Sequence, residues 1–188
     1  METTLNLILI FVFIFLFCSI LLGILLDLKE EKIKPMKNKN VLIVLGGLPA
    51  SGKSTYAKML LESGIFQIVC PDLIRKAFYG DENIQGDGKR VFETAFHDMK
   101  EYGCLGENVV FDATNINSNR RKELVKEMRP YFDVIIFKWF HTPIDICLER
   151  NQKRERKVPE SVLWRMFENF QTPTRQEGWD YIEEIKNY

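Results

Sequence analysis

Residues 41–54 read Val-Leu-Ile-Val-Leu-Gly-Gly-Leu-Pro-Ala-Ser-Gly-Lys-Ser, and this stretch decides the fold. Its last eight residues, from Gly47 to Ser54, fit the phosphate-binding pattern G-x-x-x-x-G-K-[ST]. The apolar run at 41–45 is typical of a buried parallel strand, and residues 55–62 favour a helix. This order of strand, glycine-rich loop and helix gathers backbone N–H groups and a helix N-terminus around a phosphate. We therefore predict a phosphate-binding loop in its proper structural context.

The side chains of this loop predict how a nucleotide would be held. The ammonium of Lys53 can reach the β- and γ-phosphates, and the Ser54 hydroxyl can ligate Mg²⁺. The cofactors that we predict are therefore ATP and Mg²⁺. The residues predicted to bind the nucleotide are Gly47, Ser51, Gly52, Lys53, Ser54, Thr55 and, from a basic segment described below, Arg150.

Apolar and amphipathic segments alternate along the rest of the chain. The predicted strands lie at 66–70, 109–112, 134–140 and 182–185, and the predicted helices at 72–78, 89–102, 119–128, 143–150 and 159–170. Strands that alternate with helices indicate an α/β fold with right-handed crossovers. We predict a P-loop NTPase fold, a parallel sheet of about five strands flanked by helices. Ligands of such sheets bind beyond the carboxyl ends of the strands.

Two carboxylates, Asp72 and Asp112, follow predicted strands at that edge of the sheet. Asp72 is either a helix cap or the base that accepts a proton from an acceptor hydroxyl. Arg75, one turn later, either holds an anionic part of the acceptor or pairs with Asp72. A carboxylate at the end of an apolar strand needs a partner, so we expect Asp112 at the Mg²⁺ shell or on Arg75. Thr114 and Asn115 are either loop and cap residues or contacts to the acceptor.

The connector between the last two predicted helices is strongly basic: Arg150, Lys153, Arg154, Arg156 and Lys157. A charge run is usually a solvated face. In a phosphate-handling fold, however, a mobile lid needs arginines that neutralise the charge on the transferred phosphoryl group. We favour the lid, with Arg154 as a catalytic residue beside Lys53 and Asp72.

The first residues of the chain differ in character from the rest. Residues 5–26 carry no charge and are long enough, at roughly 33 Å as a helix, to span a bilayer. Several lysines follow this run, which places the remainder of the chain in the cytoplasm by the positive-inside rule. We expect a transmembrane anchor and basic linker at 1–34 and a catalytic domain at 35–188. Alternatively the true start is Met36, and the protein is cytoplasmic and soluble.

The overall composition restricts the partners. The chain has 26 basic and 26 acidic residues and a formal net charge of zero, which argues against binding nucleic acid by bulk charge alone. The four cysteines form no C-x-x-C pair and show no metal-ligand spacing, so free thiols are the plainer account. The oligomeric state is left open.

With these residues placed, residues 41–179 resemble the polynucleotide 5′-hydroxyl kinase family. The resemblance rests on Gly-Leu-Pro-Ala-Ser-Gly-Lys-Ser-Thr at 47–55, Pro-Asp-Leu-Ile-Arg at 71–75, Val-Phe-Asp-Ala-Thr-Asn at 110–115 with Arg-Arg at 120–121, and Glu-Arg-Asn at 149–151 with Arg154 and Val158-Pro159. It implies that Asp72 is the general base and that Arg75 holds a phosphate next to the reacting nucleotide. It further implies that Asp112 orients Arg75 and that Arg154 belongs to a lid over the donor phosphates.

We therefore expect a kinase that transfers the γ-phosphoryl group of ATP to a hydroxyl, with the 5′-hydroxyl of a polynucleotide as the first candidate acceptor. A small-molecule kinase on the same scaffold is the first alternative. A nucleotide-binding interaction protein tethered to a membrane, with little turnover, is the second. A small polar pocket would favour a small acceptor, whereas basic and stacking side chains would favour nucleic acid.

Overall fold

The computed structural model describes residues 39–81, 84 and 86–186. The predicted membrane segment at 5–26 and its basic linker, which ends at residue 34, lie outside these ranges. Among the residues that are described, no helix is both long enough and apolar enough to cross a bilayer.

The described residues form alternating strands and helices, as the sequence predicts. Their bounds are β1 Val41–Gly47, α1 Lys53–Glu62, β2 Phe66–Val69, α2 Pro71–Tyr79, α3 Gly88–Cys104, β3 Asn108–Asp112, α4 Ser118–Met128, β4 Val134–Phe140, α5 Ile144–Gln152, α6 Glu160–Glu168 and β5 Tyr181–Ile185. Each predicted end differs from the observed one by at most two residues. A 3₁₀ turn at Arg175–Glu177 was not predicted.

The five strands make one parallel sheet in the order β2-β3-β1-β4-β5. The prediction of a five-stranded parallel α/β sheet is therefore confirmed. β1 is central, and its register pairs Leu45 with Asp112 on one side and Gly47 with Phe140 on the other. Because the strands are parallel, the start of the phosphate-binding loop and Asp112 reach the same edge of the sheet.

The core lies on both faces of this sheet, which explains the continuous apolar run of β1. Leu42 and Val44 belong to one buried cluster with Met99 of α3 and other apolar residues. Ile43 and Leu45 face the opposite way and pack in the cluster that contains Ala57 of α1. A strand with one face in solvent alternates apolar and polar residues. β1 is buried on both faces, so its residues are apolar throughout.

A third, smaller cluster joins the loop to the last two helices. Leu48 of the loop packs with Ile144 and Cys147 of α5 and with Leu163 of α6. The basic connector runs between these two helices, so the helices at its ends pack in the same apolar cluster as the phosphate-binding loop.

Candidate active site

The loop between β1 and α1 has the backbone of an anion-binding site. Gly52 is the N-cap of α1, with φ of 101°, and no side chain caps the first N–H groups of that helix. Ala50 also has a positive φ, of 63°, which is unusual for a residue with a Cβ. At Gly47, φ is 144° and a Cβ would lie 2.7 Å from the carbonyl oxygen of Phe140. The glycines therefore permit a turn that leaves helix N–H groups available to a phosphate.

Hydrogen bonds fix this loop to its surroundings. The N–H of Gly47 donates to the carbonyl of Thr114 over 3.0 Å. The hydroxyl of Thr142 donates to the carbonyl of Ser51 over 3.1 Å, and Ser51 is fully buried. The Nζ of Lys53 donates to the carbonyl of Leu48 over 2.6 Å. The loop is thus held from the ends of β3 and β4 and by its own lysine.

Lys53 is buried, and burial lowers the pKa of its ammonium from 10.5 to about 8. The charge of Asp112 opposes this effect most strongly, and the charges of Arg154 and Asp72 also act on Lys53. Interactions between charges weaken as the distance between them grows. Asp72, Asp112 and Arg154 therefore lie near enough to Lys53 to influence its charge.

Asp112, at the end of β3, forms a side-chain hydrogen bond with Ser54. Burial raises the pKa of the Asp112 carboxyl above its ordinary value, while the Ser54 hydrogen bond and the charge of Lys53 oppose that rise. A hydroxyl and a carboxylate side by side are the oxygen ligands that Mg²⁺ prefers. The two residues predicted to hold the metal are therefore adjacent, and their chemistry fits it.

Asp72 is not a helix cap, because α2 begins at Pro71 and its N-cap is Cys70. Its Oδ1 accepts a hydrogen bond from Nη1 of Arg75, and its Oδ2 accepts one from Nη1 of Arg156 at 2.8 Å. Arg75 thus pairs with Asp72, one of the two alternatives open from the sequence. The Nε of Arg75 is buried and has no hydrogen-bond partner among the described residues. The contact between Arg156 and Asp72 was not predicted.

Thr114 and Asn115 have structural contacts. Asn115 adopts a positive φ of 44°, and its side-chain amide donates to the carbonyl of Leu45 over 2.6 Å. The N-cap of α4 is Asn117, whose side chain accepts from the N–H of Arg120. The side-chain amide of Asn115 and the backbone carbonyl of Thr114 therefore support β1 and the loop. Their predicted contact with the acceptor stays a prediction.

The buried ion pair between Arg121 and Glu177, which contacts the backbone of Asn115, was not predicted from the sequence. Arg121 donates from Nε and Nη2 to the two carboxylate oxygens of Glu177, each over 2.7 Å, and from Nη1 to the carbonyl of Asn115. Although burial raises the pKa of Glu177, hydrogen bonds from Arg121 and Trp179 bring it below its ordinary value. The one sequence signal was the T-x-x-E pattern at 174–177, which forms a capping box.

Asn151 joins the two ends of the basic connector by hydrogen bonds to Val158. The Asn151 side-chain amide donates to the carbonyl of Val158 over 2.8 Å and accepts from the N–H of Val158 over 3.0 Å. Between these ends, Arg154 acts on Lys53 and Asp112, and Arg156 contacts Asp72. The charge of Arg150 acts on the Cys147 thiol. The connector thus places Arg156 on Asp72 and the charge of Arg154 near Lys53, and its role as a lid stays a prediction.

This fold and this loop define a P-loop nucleotide-binding protein. A sequence family described as an AAA domain matches residues 42–173. The L-seryl-tRNA(Sec) kinase of Methanococcus maripaludis is 30% identical over 151 residues, which cover 74% of this chain and 56% of that protein. The chain belongs to this AAA domain family of P-loop kinases.

Two solved structures show the same fold. A chain of the Pnkp1/Rnl/Hen1 RNA repair complex superposes with a TM-score of 0.65 at 23% identity, covering 73% of this chain and 46% of that one. The Mycobacterium tuberculosis APS kinase CysC, solved with AMPPNP and APS, superposes with a TM-score of 0.55 at 20% identity, covering 80% and 91%. The chain therefore spans about half the length of the seryl-tRNA kinase and of the repair-complex chain.

Proposed function

We propose that this protein is an ATP-dependent kinase that transfers the γ-phosphoryl group to a hydroxyl. The observation that supports it most is that Asp72, Asp112 and Arg154 all act electrostatically on Lys53 of the phosphate-binding loop. A candidate base therefore lies near enough to influence the charge of the group that would hold the β- and γ-phosphates.

The reaction assigned to this cleft is an in-line displacement. The acceptor oxygen forms a bond to the γ-phosphorus, the bond from that phosphorus to the β,γ-bridging oxygen breaks, and ADP leaves. The proton of the acceptor hydroxyl passes to the carboxylate of Asp72. Lys53 and Arg154 stabilise the charge on the phosphoryl oxygens through their fixed positive charges. Ser54 and Asp112 would hold Mg²⁺, which supplies further neutralisation of the phosphate charge.

For the acceptor we propose the 5′-hydroxyl of a polynucleotide. The buried Nε of Arg75, unpaired among the described residues, is a donor whose desolvation is costly without an acceptor. An anionic group beside the reacting hydroxyl, such as the next phosphate of a nucleic acid, supplies that acceptor. The likeness to a chain of an RNA repair complex supports a nucleic-acid acceptor. The likeness to L-seryl-tRNA(Sec) kinase supports a substrate that contains RNA, although that name indicates a seryl hydroxyl and not a 5′-hydroxyl.

A small phosphorylated metabolite is the second candidate. The APS kinase that shares this fold was solved with APS, and this chain covers 91% of it. An anionic small molecule would satisfy Arg75 equally well, so the two candidates share the same local chemistry. They differ beyond the first phosphate, because only a polynucleotide has further nucleotides there.

The experiment compares two variants with two acceptors. Asp72→Asn should lower turnover by a factor of about 10² or more and leave ATP binding nearly unchanged. Arg75→Ala should raise KM about tenfold to a hundredfold for a 5′-hydroxyl nucleoside 3′-phosphate, and much less for the nucleoside without that phosphate. Equal losses for both acceptors would make Arg75 structural. Transfer to small metabolites alone would put the second candidate first.

A further inference from the structure

Each carboxylate oxygen of Asp72 accepts a hydrogen bond from an arginine side chain, and the two arginines come from different parts of the fold. Arg75 lies on the same helix, α2, and contacts Oδ1. Arg156 lies 84 residues away in the basic connector and contacts Oδ2 over 2.8 Å. The first contact is local to one helix turn, whereas the second depends on where the connector sits.

A general base must present an oxygen within about 2.6–3.2 Å of the hydroxyl whose proton it takes. The Arg156 guanidinium lies at hydrogen-bond distance from Oδ2 and takes one of the sites at which that oxygen can accept a hydrogen bond. The contact with Arg75 can persist throughout the reaction because both groups are fixed to α2. The contact with Arg156 comes from outside that helix and weakens the carboxylate as a base, and it can be lost when the connector moves.

We propose that Arg156 is a positioning residue that holds Asp72 until the acceptor arrives, and thereby restrains transfer of the γ-phosphoryl group to water. This inference rests on the proposed role of Asp72 as the base. Without acceptor, water is the competing nucleophile: its oxygen forms the bond to phosphorus, ADP leaves, and the proton goes to Asp72. A base whose Oδ2 is held by Arg156 serves that side reaction poorly.

The ion pair between Arg156 and Asp72 is itself a weak contact. The side chains of Arg156 and Asp72 are 25% and 45% exposed, and an ion pair with that much access to water is weak. The connector also carries Arg154, two residues earlier, whose charge acts on Lys53 at the phosphate side of the cleft. One short segment, whose ends are joined by hydrogen bonds between Asn151 and Val158, therefore carries a charge that acts on Lys53 and an arginine that contacts Asp72. A shift of the connector over bound phosphates would move Arg156 as well.

The test uses the full chain and four proteins: wild type, Arg156→Ala, Asp72→Asn and the double variant. Arg156→Ala should raise ATP hydrolysis in the absence of acceptor about two- to fivefold, the strength of a partly exposed ion pair. It should lower the acceptor KM by a similar factor and leave kcat for transfer within about twofold. In the double variant the rise in hydrolysis should disappear, because it requires the Asp72 carboxylate.

Arg165→Ala is the matched control, because it removes an exposed arginine from the following helix, α6. It should leave both hydrolysis and the acceptor KM at wild-type values. If Arg156→Ala does not give a cooperative thermal transition, Arg156→Gln removes the charge and keeps most of the side chain.

Unchanged or reduced hydrolysis, with a higher KM for ATP, would show that Arg156 only orders the connector and would overturn the proposal. A rise that persists in the double variant would overturn it too. Failure of the proposed function looks different: Asp72→Asn would then retain full transfer, or wild type would phosphorylate no hydroxyl.

Discussion

The depressed pKa of Lys53 predicts that nucleotide binding weakens with rising pH. In the free protein burial lowers this pKa to about 8. A bound phosphate favours the charged ammonium and raises the pKa again. The complex therefore holds more protons than the free protein above pH 8, so affinity is full below that pH and is lost as the pH rises through it.

The size of the effect follows from these values. If the pKa in the complex returns to about 10.5, the Kd for ATP should increase about 20-fold between pH 7.5 and pH 9.5. At pH 8.5 the free lysine is about three-quarters neutral, so binding should take up about 0.75 proton. Phosphate groups lose their last proton near pH 6, below this range.

Isothermal titration calorimetry with an unreactive ATP analogue measures both quantities. Buffers of different ionisation enthalpy give the proton uptake, and the pH series gives the Kd. The charges that also act on Lys53 come from Asp112, Cys147, Arg154 and Asp72. Carboxylates and guanidinium groups do not titrate in this range, and burial raises the pKa of the Cys147 thiol.

Lys53→Arg is the control, because arginine keeps its charge over the whole range. Its Kd should be nearly independent of pH, whatever its absolute value. A wild-type Kd that changes less than twofold from pH 7.5 to pH 9.5, with no proton uptake, would refute the argument.

Three further predictions concern other parts of the chain. Glu177→Gln should lower the free energy of unfolding by about 3–5 kcal/mol in urea titrations, because it leaves Arg121 buried without a counter-charge. Arg129→Ala is the control: it breaks a partly exposed ion pair and should lower the free energy of unfolding by about 1 kcal/mol or less. Asp112→Asn should raise the Mg²⁺ concentration for half-maximal transfer about tenfold or more, and an unchanged requirement would remove Asp112 from the metal site. Full-length protein should stay with the membrane pellet after carbonate extraction, and a protein that begins at Met36 should not; extraction of both would remove the proposed anchor at 5–26.

Much of the fold was predictable because its signals are local. The strand, loop and helix around Gly47 lie within a short stretch, and each leaves a pattern of apolar periodicity or glycine spacing. The parallel sheet then brings Asp112 to the same edge as the loop. The position of Asp72 was predictable for the same reason, since it follows a strand.

Long-range pairing of charged side chains was not predictable. Arg121 and Glu177 are 56 residues apart, and Arg156 and Asp72 are 84 residues apart. A charged residue in a sequence has the same appearance whether it is solvated or buried against a distant partner. Whether Asp72 caps α2 depended on whether the helix begins at Pro71, a boundary that periodicity does not fix to one residue.

The most direct test of the proposed function is a transfer assay with ATP labelled in the γ-phosphate. The full chain and its Lys53→Ala variant are incubated with 5′-hydroxyl RNA, 5′-hydroxyl DNA and a panel of phosphorylated metabolites. We predict that wild type labels a 5′-hydroxyl nucleic acid and that Lys53→Ala loses most of this labelling, because the fixed charge on the β- and γ-phosphates is gone. No labelled acceptor with wild type, or labelling by Lys53→Ala within a few fold of wild type, would contradict it.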